Sequence, residues 1–169
     1  MPRAATVFLI IIALVVLGFV GIEVYESSQP RNTLVQPALE KAPLPELAPG
    51  PSDPDAPAEF SVTESGLKYK ILRKSEGTKP HAKSTVRAHY RGWLDDGTEF
   101  DSSYKQGKSS LLRAEAVIPG WQEGLQLIGE GGMIELEIPY QLGYGHKGNP
   151  PVIPPRATVH FLIEVKKVR

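Results

Sequence analysis

The chain has 169 residues, with 19 basic and 19 acidic side chains, four histidines and no cysteine. Balanced charge argues against a nucleic-acid binder, which carries a basic excess or stripe. The lack of cysteine excludes disulfides, thiolate metal sites and cysteine nucleophiles. The length suits one ordinary domain with additional segments.

Ala4 to Ile22 holds no charged residue and is almost wholly apolar. About 19 residues at 1.5 Å rise come close to crossing a ~30 Å hydrocarbon core. Val20, Ile22, Val24 and Tyr25 are bulky where a cleavage site wants small residues. Residues 1–25 are therefore read as an uncleaved signal-anchor forming a transmembrane helix, with a cleaved signal peptide as the alternative. Arg3 precedes the span, and Glu23 and Glu26 follow it. The positive-inside bias then places the rest of the chain outside the cytoplasm, on a periplasmic or cell-surface side.

Residues 26–60 contain Pro30, Pro37, Pro43, Pro45, Pro49, Pro51, Pro54 and Pro57. Proline removes a backbone donor and drives the preceding residue toward extended geometry. This stretch reads as a disordered, semi-extended linker that holds a domain clear of a bilayer. Residues 61–169 read as the folded unit. Leu67 to Leu72 alternates as a strand, and Thr85 to Leu94 reads as a second. Asp95-Asp96-Gly97-Thr98 is a hairpin turn. Pro119 to Ile128 reads as a short helix with Trp121, Leu125 and Ile128 on its core face. Met133 to Ile138 and Val159 to Val165 alternate as strands, the second with Val159, Phe161, Ile163 and Val165 on one face. The predicted class is α+β: an antiparallel sheet with one apolar face, covered by one amphipathic helix.

No phosphate loop, dinucleotide fingerprint or nucleophile elbow is present. His81, His89, His146 and His160 lack metal-ligand spacing, so no metal site is expected. Apolar and aromatic residues instead gather near turns and element ends, where a concave site can form. They are Tyr90, Phe100, Val117, Ile118, Trp121, Tyr144, Val152, Ile153 and Phe161. Trp121 and Phe161 also lie on apolar core faces. Tyr144, among Gly143, Gly145 and Gly148, has little core to enter.

His89-Tyr90-Arg91-Gly92-Trp93-Leu94-Asp95-Asp96-Gly97-Thr98-Glu99-Phe100-Asp101-Ser102-Ser103 resembles the first signature of the FKBP family of peptidyl-prolyl cis/trans isomerases. Val117-Ile118-Pro119-Gly120-Trp121-Gln122-Glu123-Gly124-Leu125 resembles its second. Gly143-Tyr144-Gly145 and the run from Asn149 to Phe161 resemble its third. The three matches occur in the family's order and cover most of residues 61–169. The resemblance implies a curved antiparallel sheet wrapped around one short helix, with a hydrophobic prolyl pocket between them.

By position, the resemblance makes Trp121 the pocket floor. Tyr90, Phe100 and Phe161 become aromatic walls beside Val117 and Ile118, with Ile153 and Tyr144 at the rim. Asp101 corresponds to the pocket carboxylate. The Ile118 N–H and the Tyr144 hydroxyl correspond to donors to the bound peptide. Leu112 falls where many relatives place a further phenylalanine, giving a smaller, non-aromatic wall. The implied reaction is rotation about X–Pro bonds in exported, folding proteins. It needs no cofactor, metal or covalent step, and macrolides are the implied inhibitor class. The second reading is a tethered module that binds proline peptides and turns over little. The expected partners are proline-containing polypeptides and a membrane, with no nucleic acid. The expected state is a monomer, because residues 26–60 are too rich in proline for a long helical dimerisation arm.

Overall fold

The computed structural model describes residues 47–169. The apolar segment near the start and the first part of the proline-rich stretch lie outside the described residues. Among the described residues no helix is long and apolar enough to cross a membrane.

Among the described residues seven strands form one antiparallel sheet. They are β1 (Ser61–Val62), β2 (Lys68–Arg73), β3 (Thr85–Leu94), β4 (Glu99–Ser102), β5 (Ser110–Arg113), β6 (Met133–Ile138) and β7 (Val159–Val168). The spatial order is β1-β2-β6-β7-β3-β4, with β5 also paired to β3. The bounds of β3 and β6 are those expected from the sequence. β2 runs one residue later than expected, and β7 continues to Val168. The hairpin between β3 and β4 closes as its sequence requires. Leu94 N–H donates to the Thr98 carbonyl at 2.9 Å, and Gly97 takes φ +83°, a conformation that favours glycine.

One face of the sheet is apolar, because alternate residues of a strand share a face. Val86 and Ala88 of β3, Ile134, Leu136 and Ile138 of β6, and Val159, Phe161, Ile163 and Val165 of β7 are all buried there. The one α-helix among the described residues, α1 (Pro119–Leu125), covers them with Trp121 and Leu125. Proline opens the helix at its first turn, where its missing N–H costs nothing. The helix ends three residues before the expected Ile128. Ile128 is still buried in the same core, so the apolar spacing runs on through the turn after the helical hydrogen bonds stop.

The free edge of β3 is shared by two short strands in succession. β5 pairs with Thr85 to Ala88, and β4 pairs with Arg91 to Trp93. Between them, Ser103 takes over the backbone of Tyr90. Its N–H donates to the Tyr90 carbonyl at 3.0 Å, and its Oγ accepts the Tyr90 N–H at 2.7 Å. This split in the edge is where the site opens.

The outer face is not bare either. Residues 47–53, read from composition as part of the linker, lie against the domain through two backbone bonds, from Leu47 to Tyr104 and from Asp53 to Leu72. On that face Leu162 and Glu164 are buried as well.

Candidate functional site

A cavity of about 290 Å3 lies between the apolar face, the start of α1 and the split edge of β3. It is lined by Tyr90, Asp101, Leu112, Ala116, Val117, Ile118, Trp121, Tyr144 and Phe161. Eight of these nine were expected from sequence; Ala116 was not. It ends a 3-10 turn, Ala114–Ala116, and a lone alanine carries no signal of a binding wall.

Trp121 and Phe161 make the inner surface. Both are buried, with ring centroids 5.1 Å apart and planes nearly perpendicular. Tyr90 meets the Trp121 edge at 5.3 Å. Edge-to-face contacts of this kind fix ring orientation as well as burying area. The Trp121 Nε1–H is buried without a protein hydrogen-bond partner, a cost of about 1–3 kcal/mol. Packing rather than a polar contact therefore sets the indole.

Two expected residues sit behind the wall instead of on it. Phe100 packs edge-on against Phe161 at 5.5 Å and does not line the cavity. Ile153, expected at the rim, is buried in the hydrophobic core. It is held by a reciprocal pair of backbone bonds with Asn149. Gly92 makes this arrangement possible. A Cβ there would lie 2.6 Å from Phe161 Cε1 and 2.7 Å from Phe100 Cζ, so only a residue without a side chain lets both rings close over β3.

The polar groups are few and placed on one side. The Tyr90 hydroxyl donates to Asp101 Oδ2 at 2.6 Å, and Gln106 Nε2 donates to Oδ1 at 3.2 Å. Burial first, and then the bond to the Asp101 carboxylate, push the Tyr90 phenol up to about 12. It stays a neutral donor at any physiological pH. Burial and the charge of Asp101 also raise Tyr144, which keeps its hydroxyl protonated. Ile118 is the N-cap residue of α1, so its N–H lies outside the helical ladder. Its carbonyl instead accepts the N–H groups of Trp121 and Gln122. Gln122 Nε2 reaches back to the Val117 carbonyl at 2.8 Å and fixes the wall before the helix. Leu112 supplies an aliphatic wall from β5. Among the described residues no group of three or more histidine or acidic side chains could hold a metal.

An antiparallel sheet laid over one short helix, with an aromatic cavity at the split edge of its third strand, defines an FKBP-like domain. A model of the FKBP-type peptidyl-prolyl cis-trans isomerase family matches residues 76–166. FkpA of Escherichia coli K12, an FKBP-type peptidyl-prolyl cis-trans isomerase, is 43% identical over 108 residues. The match covers 64% of this chain and 40% of FkpA. The peptidyl-prolyl cis-trans isomerase Mip of Coxiella burnetii is 42% identical over 106 residues, covering 61% and 46%. The crystal structure of Escherichia coli FkpA superposes with a TM-score of 0.64 at 41% identity, covering 67% of this chain and 53% of that one. The chain belongs to the FKBP-type peptidyl-prolyl cis-trans isomerase family. It spans about half or less of the length of these curated relatives.

Proposed function

We propose that this protein is a peptidyl-prolyl cis/trans isomerase acting on proline-containing segments of polypeptides outside the cytoplasm. The observation that carries this reading is the cavity. It is floored by Trp121, walled by Tyr90 and Phe161, and bears one oriented carboxylate, Asp101. Its volume of about 290 Å3 is at the lower end of ligand sites, which run from about 300 to 1,000 Å3. That suits one ring with its flanking peptide bonds.

The chemistry follows from the amide. Rotation about an X–Pro bond must break resonance against a barrier of about 18–20 kcal/mol, and takes tens to hundreds of seconds unaided. The twisted amide has lost that resonance and is less charge-separated than either planar form. An apolar cavity therefore disfavours the planar forms relative to the twisted one. Acceleration comes from binding the twisted state better than the planar states, helped by fixed donors. The Ile118 N–H and the Tyr144 hydroxyl are the donors at hand. Each tenfold gain requires about 1.4 kcal/mol. No proton changes hands, so Asp101 serves by local field and by orienting Tyr90.

The location outside the cytoplasm rests on the apolar run from Ala4 to Ile22 and the charges around it. On that reading the chain is a membrane-tethered monomer with its cavity facing exported proteins. The test is NMR exchange on a proline-containing peptide with the full chain in detergent, with and without rapamycin. Acceleration that the macrolide abolishes supports an enzyme. Binding without acceleration would favour a peptide-holding module, and Leu112→Phe would then test whether the aliphatic wall is the reason.

A further inference from the structure

The proline-rich residues just before β1 cross the outer face of the sheet, opposite the cavity. Leu47 N–H donates to the Tyr104 carbonyl at 3.2 Å. Leu47, Ala48 and Pro49 roof a hollow of about 320 Å3 over Arg91, Glu99, Ser102 and Tyr104. Farther along, the Pro51 carbonyl accepts Arg73 Nη1 at 3.0 Å. Asp53 N–H donates to the Leu72 carbonyl at 2.7 Å, and Asp53 Oδ2 accepts the Lys74 N–H at 2.7 Å. The segment thus ties the loop after β4 to the end of β2.

Between these ends it passes over the acidic residue in the middle of the outer face. Glu164 is buried and accepts from Arg73 at 2.6 Å, Lys166 at 3.0 Å and the Tyr104 hydroxyl at 3.2 Å. Gly50 lies directly on this pair. A Cβ at Gly50 would stand 2.7 Å from Arg73 Nη1 and 2.8 Å from Glu164 Oε1. A side chain at this position would have to displace the paired ends of Arg73 and Glu164.

The loop held at Tyr104 follows directly on the strand that carries the pocket carboxylate. Asp101, Ser102, Ser103 and Tyr104 are consecutive. Asp101 bonds the Tyr90 hydroxyl, Ser103 bonds the Tyr90 backbone, and Tyr104 stacks on His89 with centroids 5.0 Å apart. We propose that residues 47–55 are a strap belonging to the isomerase unit, and that by clamping Tyr104 they set the position of Asp101 in the cavity. Gly50 and Asp53 are then positioning residues for proline binding, acting through the loop after β4. The effect on peptide affinity rests on the isomerase-site reading above; the effect on the loop does not.

The chain has no cysteine, so Ser52→Cys in the full chain gives a single site for a nitroxide label on the strap. Gly50→Val is the wedge, and Asp53→Ala removes the anchor to Lys74. Val168→Ala, at the far end of β7, is a control that destabilises without touching the strap. In the parent the label should be immobile. In Gly50→Val, and again in Asp53→Ala, it should gain mobility while the amide resonances of residues 101–104 shift and broaden. A proline peptide should bind about three- to tenfold more weakly, with its affinity unchanged in Val168→Ala. A mobile label with unmoved 101–104 resonances would overturn the proposal, leaving the strap as packing alone. A label that stays immobile when Gly50→Val and Asp53→Ala are combined would refute the docking itself. If the parent binds no proline peptide, the isomerase reading fails, and the amide resonances still decide whether the strap holds the loop.

Discussion

Replacing Tyr90 by phenylalanine isolates the one polar pair in the cavity. The lost bond is a 2.6 Å donation to a carboxylate. Such bonds are worth about 1.5–3 kcal/mol when well buried; at this half-exposed wall about 1 kcal/mol is expected, because water can reach the freed carboxylate. That corresponds to about 3–5 °C in melting temperature. The pH dependence is the sharper test. The Tyr90 phenol rises from 10.0 to about 12 on folding. A group raised in this way contributes stability that is complete below its unfolded value and is lost as pH climbs through the folded one. At pH 11 the unfolded phenol is mostly ionised and the folded one mostly neutral, a tenfold difference. Unscreened, that would be about 1.4 kcal/mol, and at a half-exposed site about half as much. Only the parent suffers this loss, because phenylalanine does not titrate. The deficit of Tyr90→Phe should therefore shrink from about 1 kcal/mol at pH 7 to about 0.3 kcal/mol at pH 11. Urea unfolding of both proteins at pH 7, 9 and 11 measures it, and the other tyrosines cancel in the difference. A deficit that stays constant or grows with pH would refute the pairing of Tyr90 with Asp101.

Other outcomes follow from the same packing. Trp121→Ala and Phe161→Ala should each cost about 3–5 kcal/mol by chemical denaturation, because floor and core are the same residues; a loss below 1 kcal/mol would mean the rings are not shared. Gly92→Ala should cost about 1–3 kcal/mol and weaken peptide binding by pushing Phe161 into the cavity, which a peptide titration detects. Stability should fall on acidification in two stages. Burial, with the charge of Lys166, lowers His89 from 6.5. Burial alone would raise Glu164, but the bonds from Arg73 and Lys166 outweigh it and hold the acid below 4.5. Both lowered values give stability that is present above the unfolded pKa and is lost as pH falls through the folded one. Melting temperatures should therefore decline first below about pH 6.5 and again below about pH 4.5, with the first decline absent in His89→Asn.

What the sequence could reveal depended on how local each cause was. β6 alternates over most of its six residues and β3 is ten residues long and ends at a turn, so the bounds of both could be read directly. β4 has only four residues, and its local signal is the hairpin turn before it; β5, also four residues, exists because β3 offers it an edge, a long-range condition that no local window contains. Trp121 and Phe161 were legible both as core and as site, because one position serves both ends. Whether Phe100 and Ile153 touch the cavity or stand behind it depends on the Gly92 gap and the Asn149 bridge, which spacing does not encode. Residues 47–55 looked like linker because proline content speaks only about backbone. Their docking uses carbonyls, one aspartate and a glycine, and leaves no apolar period to find.

The strand order also governs how the protein comes into being. β7 lies between β6 and β3 in space, yet it is the last strand in chain order. It pairs with β3 from Val86↔Val168 to Leu94↔Val159, across a long stretch of intervening chain. During synthesis every earlier strand emerges before the one that joins the two halves of the sheet. Contacts this distant in sequence make for slow closure, and the wall residue Phe161 arrives with the closing strand. A half-made chain therefore has no cavity, and the site is complete only when the last strand has closed the sheet.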